Sequence, residues 1–158
     1  MNNPFCITTS IPYVNAPPHL GFALELVQAD VLARYHRLCG HAVRFQTGTD
    51  ENAIKNVLAA RALGLPTRSL VDRHAAAFRE LVVALGISAD DFLRTTEPRH
   101  RSAVQAFWQR LRPADVYRRY YHGLYCVGCE DFVQERDLVN GNCPEHAAAP
   151  TVVAEENW

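Results

Sequence analysis

Apolar and polar positions along the first hundred residues follow two different periods. Short apolar runs, moderately rich in β-branched residues, predict strands at residues 5–9, 42–46 and 91–95. Between and after them, apolar positions recur three or four residues apart, which predicts helices at 20–39, 51–63, 69–85 and 98–111. Alternating strands and helices are typical of an α/β fold with a parallel sheet, and ligands bind beyond the carboxyl ends of such strands.

The first predicted helix has a distinct apolar face. Six apolar side chains fall near one side of it: Leu24, Val27, Val31, Leu32, Tyr35 and Leu38. Charged side chains, among them Glu25 and Asp30, fall largely off that side. For the second helix, Thr49 or Asp50 is the expected N-cap.

Two polar motifs follow the first two predicted strands. Residues 10–21 form a proline-rich turn that ends in His19-Leu20-Gly21 at a helix start. The N–H groups and positive dipole end of a helix attract an anion, and His19 can donate a hydrogen bond to a phosphate. Gly21 lets a ligand approach the backbone. Residues 48–52 lie at the same predicted edge, so a nucleotide site is favoured over an ordinary surface turn.

The pattern changes near Pro113, where we predict a boundary between domains 1–113 and 114–158. Tyrosines among polar residues then predict short antiparallel strands, with a turn at Asn140-Gly141. Four ligand-type residues form two close pairs separated by thirteen residues: Cys126, Cys129, Cys143 and His146. The spacing favours a closed, structural tetrahedral zinc site, with free thiols or a local disulfide as alternatives. Cys6 and Cys39 lie in apolar contexts that predict burial.

Composition limits the remaining choices. With 48% hydrophobic and 21% charged residues, the 158-residue chain is predicted to be globular, and its net charge of −1 gives no general attraction to nucleic acid. No apolar run approaches the roughly 20 residues of a membrane span, and the N-terminus lacks a signal-peptide pattern. Five cysteines, three of them crowded into residues 126–143, favour a reducing compartment. We therefore expect a cytoplasmic location without membrane contact.

These residues together resemble the N-terminal part of a methionyl-tRNA synthetase, a class I aminoacyl-tRNA synthetase. The resemblance rests on seven segments: Ile11-Pro12-Tyr13-Val14-Asn15-Ala16, the HIGH-type signature His19-Leu20-Gly21-Phe22, Thr47-Gly48-Thr49-Asp50-Glu51, Asp90-Asp91-Phe92, Gly123-Leu124-Tyr125-Cys126-Val127-Gly128-Cys129, Cys143-Pro144-Glu145-His146, and Glu155-Glu156-Asn157-Trp158. It implies the N-terminal half of a Rossmann-type (HUP-like) parallel sheet with a small zinc-binding insertion domain.

The resemblance also implies a reaction and residue roles. Methionine and ATP, accompanied by Mg²⁺, would form methionyl-adenylate, and the methionine would then pass to tRNA. His19, as the catalytic residue, and Gly21 would face ATP, and Asp50 would hold the methionine ammonium. Ser10, Ile11 and Tyr13 would line the methionine pocket. Because the attacking carboxylate is already ionised, the reaction needs positioning and charge stabilisation rather than a general base.

The sequence departs from the family pattern in three respects. Phe22 stands at the second histidine of the signature, and Asn52-Ala53 stand where His-Gly is common. Lys55 is the only lysine, so a KMSKS signature is absent. We therefore expect a fragment that is inactive alone, that exposes apolar surface and self-associates, and that has a complementing C-terminal half as a candidate partner.

Two alternatives come from other functional classes. The first is a stand-alone module, derived from a truncated synthetase, that binds a nucleotide, RNA or a protein. The second is a zinc-ribbon nucleic-acid binder, which would explain only the last forty or so residues.

Overall fold

The computed structural model describes residues 4–158, and it divides into two compact units. Unit 1 extends to Val104, and unit 2 runs from Gln105 to Trp158. Residues 1–3, where the sequence predicts no signal peptide, lie outside the described residues. The domain boundary near residue 113 stays a prediction.

Unit 1 is built on a three-stranded parallel sheet. Its strands lie side by side in chain order: β1 (Phe5–Thr8), β2 (Val43–Thr49) and β3 (Asp91–Arg94). Three helices follow or connect them: α1 (Leu20–Leu38), α2 (Ile54–Ala62) and α3 (Thr67–Ala84). A fourth helix, α4 (Pro98–Trp108), begins in unit 1 and ends in unit 2. Every bound lies within three residues of its prediction, and the predicted α/β class with a parallel sheet is confirmed. Within residues 4–158, none of the helices has the length and apolar content that crossing a membrane requires.

The end of β2 differs from the prediction. Gly48 and Thr49 continue the strand because they pair with β3, and a Cβ at Gly48 would overlap the Leu93 carbonyl. Neither Thr49 nor Asp50 caps α2, whose N-cap is Ala53 and has no side-chain capping bond. Asp50 instead accepts a hydrogen bond from the Asn52 N–H in the turn before the helix.

Helix α1 turns its less apolar side toward the sheet. Its buried residues are Phe22, Leu26, Ala29, Asp30 and Ala33. The predicted apolar face is 41–89% exposed at its six side chains: Leu24, Val27, Val31, Leu32, Tyr35 and Leu38. Apolar residues lie on two sides of α1. The 3.6-residue period therefore identifies the helix but does not show which of the two sides is buried. These six side chains form the exposed stripe of α1, and self-association through it stays a prediction.

The core of unit 1 consists of two apolar clusters. One contains Val14, Phe22, Leu26, Val71, Ala75 and Phe78, and the other contains Ala29, Ala33 and Phe45. The Phe22 ring meets the Phe78 ring edge-on at a centroid distance of 4.8 Å. The departure from the signature at Phe22 therefore places a core side chain at the helix start.

The prediction that Cys6 and Cys39 are buried is wrong, because both are exposed. Cys6 points to the opposite side of β1 from Phe5 and Ile7, since side chains alternate along a strand. Cys39 is the C-cap of α1, in the turn between this helix and β2.

Unit 2 is a small antiparallel sheet with loops and two short 3₁₀ turns (Pro113–Asp115 and Glu135–Asp137). β4 (Arg119–Cys126) pairs on its two sides with β5 (Asp131–Val133) and β6 (Thr151–Asn157), which confirms the predicted antiparallel strands. Asn140 and Gly141 have φ values of 51° and 78°, and bridged residues flank them. This is the turn that an Asn-Gly pair predicts.

A buried carboxylate in unit 1 joins α1 to the loop before β3. Asp30 accepts hydrogen bonds from the Ser88 N–H at 2.7 Å, from the Ser88 hydroxyl, and from Arg34 Nε at 2.6 Å. Burial alone would raise the pKa of Asp30, but the bonds from Ser88 and Arg34 outweigh it and lower that pKa. The ionised form is therefore the one that holds the loop.

Asp30→Asn should lower the free energy of unfolding by about 2 kcal/mol at neutral pH, because charged hydrogen bonds are lost. A carboxyl group with a depressed folded pKa stabilises the fold above its unfolded pKa of about 3.9 and loses that contribution as the pH falls. The difference between the variant and the unsubstituted chain should shrink as the pH falls below about 4. Urea unfolding at several pH values measures it. Asp137→Asn, at an exposed ion pair, is the control, and a pH-independent difference for Asp30→Asn would contradict the prediction.

Candidate functional site

The turn after β1 lies beside the turn after β2. Tyr13 and Asp50 form a parallel bridge, and the Asp50 N–H donates to the Pro12 carbonyl at 2.9 Å. The bridge forms because β1 and β2 are parallel neighbours, whose carboxyl ends share one edge of the sheet. The structure therefore brings together the two motifs that the sequence places after separate strands.

A cleft of about 380 Å³ opens at this edge. Nine residues line it: Pro12, Tyr13, Asn15, Ala16, Pro17, His19, Phe22, Lys55 and Phe78. Among the predicted site residues, His19 and Tyr13 share the cleft, and Asp50 is joined to it through the Tyr13 bridge. Ser10, Ile11 and Gly21 are not part of this lining.

His19 is the N-cap of α1, and the helix orients its ring. Its Nδ1 accepts a hydrogen bond from the Gly21 N–H at 3.1 Å. A neutral imidazole that accepts at Nδ1 carries its proton on Nε2, so this bond assigns the tautomer and leaves Nε2–H as a donor. A Cβ at Gly21 would lie 3.0 Å from His19 Cε1, which explains the glycine. The Gly21 amide itself already has His19 as its partner.

Ser10 is bound to α1 through Glu25, a residue to which the sequence assigns no role at the site. The Ser10 N–H and hydroxyl donate to the two Glu25 carboxylate oxygens at 2.6 and 2.7 Å. Both hydrogen-bond donors of Ser10 are thus used to fix the turn. Ile11, the next residue, is 43% exposed.

Asp50 is held from the end of β3. Its Oδ1 accepts from the Asn52 N–H at 3.0 Å and from the Thr95 hydroxyl at 3.3 Å. Thr95 follows β3 directly and is not among the site residues predicted from the sequence. Its place at the carboxyl end of a neighbouring parallel strand is the signal that could have indicated it.

A buried ion pair lies next to Asp50 along the chain. Glu51, whose side chain is 0% exposed, accepts from Arg94 Nε at 2.5 Å and from Arg94 Nη2 at 3.1 Å. The Thr49 and Thr96 hydroxyls also donate to Glu51, and Arg94 pairs in addition with Asp72 of α3. The bonds to Glu51 raise the pKa of Arg94 above its ordinary value, so the guanidinium stays charged.

Unit 2 contains a cluster of four residues that could hold a metal ion. The ligand atoms of Cys126, Cys129, Cys143 and His146 all lie within 4.8 Å of one another. Cys129 Sγ is 3.5 Å from Cys143 Sγ and 3.3 Å from His146 Nδ1. Sulfur ligands about 2.3 Å from a tetrahedral ion stand about 3.8 Å apart, whereas disulfide sulfurs are about 2.05 Å apart. The distances therefore fit a metal site rather than a disulfide.

The charges of the cluster also fit a cation. The Cys129 backbone N–H lowers the pKa of Cys126, whereas a hydrogen bond with Cys143 raises the pKa of Cys129 to about 12. The Cys129 thiol therefore resists ionisation unless a cation compensates the charge, as a divalent metal ion does. Gly128 allows His146 to approach the three cysteines closely, because a Cβ at Gly128 would overlap the His146 imidazole.

Gly128→Ala should weaken metal binding by about tenfold to a hundredfold, since the methyl group displaces the His146 ring. Competition with a coloured chelator, with metal release followed by absorbance, measures the affinity. Gly141→Ala is the matched control: its Cβ would meet nothing within 4 Å, although its φ of 78° adds strain. Equal metal affinity in the two variants would contradict this role for Gly128.

Comparisons with known proteins agree with the site. The family described as tRNA synthetases class I (M) matches residues 5–154. Methionine–tRNA ligase of Rickettsia bellii (strain RML369-C) is 43% identical over 159 residues, which cover 100% of this chain and 31% of that protein. The ligase of Thermosynechococcus vestitus (strain NIES-2133 / IAM M-273 / BP-1) is 46% identical over 148 residues, which cover 92% of this chain and 28% of that protein.

A solved structure gives the same result. Mycobacterium tuberculosis methionyl-tRNA synthetase in complex with methionyl-adenylate matches with a TM-score of 0.89 and 40% identity, covering 97% of this chain and 31% of that one. This likeness confirms the Rossmann-type fold. The chain spans less than a third of the length of these three proteins. Because the family match covers nearly all of the described residues, the chain belongs to the class I tRNA synthetases (M), the family of the methionine–tRNA ligases.

Proposed function

We propose that this chain forms the methionine and ATP corner of a methionine–tRNA ligase, which makes methionyl-adenylate and then methionyl-tRNA. The observation that carries the proposal is the Tyr13–Asp50 bridge, which joins the two signature motifs beside the cleft containing His19. The likeness to a synthetase that binds methionyl-adenylate supports it.

Asp50 and the turn after β1 receive methionine in this proposal. The Asp50 carboxylate pairs with the methionine ammonium, and Tyr13, Ile11 and Ser10 line the pocket. Because the Ser10 hydroxyl donates to Glu25, Ser10 contributes by holding the turn in place rather than by a direct polar contact.

His19 and the start of α1 receive ATP. The His19 Nε2–H donates to the α-phosphate, and the positive end of the helix favours the same anion. Gly21 leaves space beside the His19 ring, and its backbone N–H donates to His19 Nδ1. Phe22 has no donor and packs on Phe78, so the phosphate-binding group that α1 supplies at its start is His19.

The chemical step needs positioned charge rather than a proton-transfer group. The methionine carboxylate oxygen bonds to the α-phosphorus as the bond to pyrophosphate breaks, and charge accumulates on the phosphate oxygens. His19 Nε2–H and the helix dipole stabilise that charge, which makes His19 the catalytic residue. Mg²⁺ bound to ATP would neutralise part of the phosphate charge.

Zinc is the metal that we assign to the cluster in unit 2. Three sulfurs and one imidazole are a donor set that structural zinc prefers, and four protein ligands leave no open position for a substrate. Cys126, Cys129, Cys143 and His146 would hold the ion, whose role is to stabilise unit 2.

The remaining partners follow from the proposed reaction. They are tRNA and the C-terminal portion that completes the enzyme, with the cytoplasm as the compartment. The exposed stripe of α1 is the surface that the C-terminal portion would cover, and it is also the observation that favours the second candidate, a stand-alone protein-binding module. An RNA-binding module is disfavoured for unit 2, because residues 105–158 contain five arginines and eight acidic residues.

Methionine-dependent exchange of pyrophosphate into ATP should be near background with this chain alone, because the chain covers 31% of the Rickettsia relative. Adding the C-terminal remainder of the Rickettsia bellii ligase as a separate polypeptide should restore exchange. Pyrophosphate exchange at a normal turnover rate by the chain alone would refute the prediction that the chain is inactive by itself. No exchange in the mixture would refute the proposed function.

Asp50→Asn should raise KM for methionine about a hundredfold in the complemented exchange assay, because a charge-assisted hydrogen bond to the ammonium is lost. KM for ATP should change little. Asp137→Asn makes the same change at an exposed carboxylate in unit 2, so it is the control and should leave KM for methionine unchanged. An unchanged KM for methionine in Asp50→Asn would show that Asp50 does not bind the ammonium.

A further inference from the structure

A buried hydroxyl contacts the carboxylate that the proposed function assigns to the methionine ammonium. Thr95 is 7% exposed, and its backbone N–H donates to the Thr49 carbonyl at 3.2 Å. This bond continues the pairing of β2 and β3 by one residue. The Thr95 side chain is thereby held at the end of β2, beside residues 50–52.

The neighbouring donors decide where the Thr95 proton points. Thr95 Oγ1 accepts from the Glu51 N–H at 2.8 Å and from Asn52 Nδ2 at 3.4 Å. A threonine hydroxyl has two lone pairs and one proton, and neither of those nitrogen groups can accept that proton. The acceptor within reach is Asp50 Oδ1, at 3.3 Å.

The same carboxylate oxygen is held a second time. Asp50 Oδ1 also accepts from the Asn52 N–H at 3.0 Å. Two donors on one oxygen restrict rotation about the bond to the carboxylate. Asp50 is therefore presented to a ligand in one orientation, and Thr95 supplies the half of that restraint that comes from a different strand.

We propose that Thr95 is a positioning residue for the amino-acid substrate. It orients Asp50 for the ammonium group without touching methionine itself. This inference rests on the proposed function, because the ammonium-binding role of Asp50 does. It makes a specific claim: loss of the hydroxyl weakens binding of a ligand with an α-ammonium group, while ATP binding and the chemical step are preserved.

Three variants in the complemented exchange assay test this claim. Thr95→Val keeps the shape and removes the hydroxyl, and Thr95→Ser keeps the hydroxyl. Thr96→Val is the matched control, since the Thr96 hydroxyl donates to Glu51 rather than to Asp50. Thr95→Val should raise KM for methionine about tenfold, with kcat and KM for ATP within about twofold. Thr95→Ser should restore KM, and Thr96→Val should lower thermal stability without changing KM.

An inhibitor without the ammonium group provides a second readout. The deaminated carboxylic-acid analogue of methionine should inhibit the Thr95→Val and unsubstituted enzymes equally, because it does not use Asp50. A general structural defect would weaken its inhibition as well. If Thr95→Val fails to fold, Thr95→Ala removes the same hydroxyl without placing a second methyl group against polar neighbours.

The outcomes separate this inference from the function on which it rests. If Asp50→Asn leaves KM for methionine unchanged, the proposed role of Asp50 is refuted. If Asp50→Asn raises KM and Thr95→Val does not, the positioning role alone is overturned. Equal increases in Thr95→Val and Thr96→Val would also overturn it, because the hydroxyl would then act only through stability.

Discussion

The buried carboxylate of Glu51 is the constraint on which the site in unit 1 depends. An ionised group removed from water must be paired, and breaking such a pair costs about 3–5 kcal/mol, whereas an exposed pair such as Arg112–Asp115 contributes about 0.5 kcal/mol. Arg94 satisfies this requirement and is itself shared with Asp72. The pair therefore joins the ends of β2 and β3 to α3. Asp50 and Thr95 are the chain neighbours of the paired residues, so their contact follows from the pairing.

The two units differ in what can stabilise them. Unit 1 has apolar clusters beneath α1 and α3, and it can place His19 at a helix N-cap, a position that Ser, Thr, Asp and Asn usually occupy. Among the described residues of unit 2, only Cys126 and Cys143 are buried. A unit without an apolar core of its own needs a crosslink, and the Cys/His cluster provides the ligands for one. The metal would thus substitute for a core.

Much of the fold follows from local pattern. The predicted bounds of the strands and helices lie within three residues of the observed bounds, and the Asn140-Gly141 turn has the expected positive φ values. The errors share a cause, which is that periodicity describes an element and not its neighbours. The exposed stripe of α1 has the period of a buried face, and Cys6 lies on the exposed side of β1, opposite Phe5 and Ile7. Likewise, Asp50 has the chemistry of an N-cap, yet its side chain is held by Asn52 and Thr95 instead.

The sequence by itself determined the order of the elements, the polar motifs at the strand ends and the spacing of the four candidate metal-ligand residues. These depend on residues close together in the chain, so residue type and period are sufficient to predict them. Only the tertiary structure decided which side of α1 faces the sheet, that Arg94 neutralises Glu51, and that Thr95 reaches Asp50. The last two contacts join residues 43 and 45 positions apart. They exist because the parallel register of β2 and β3 aligns Thr49 with Arg94, which no local pattern in either strand specifies.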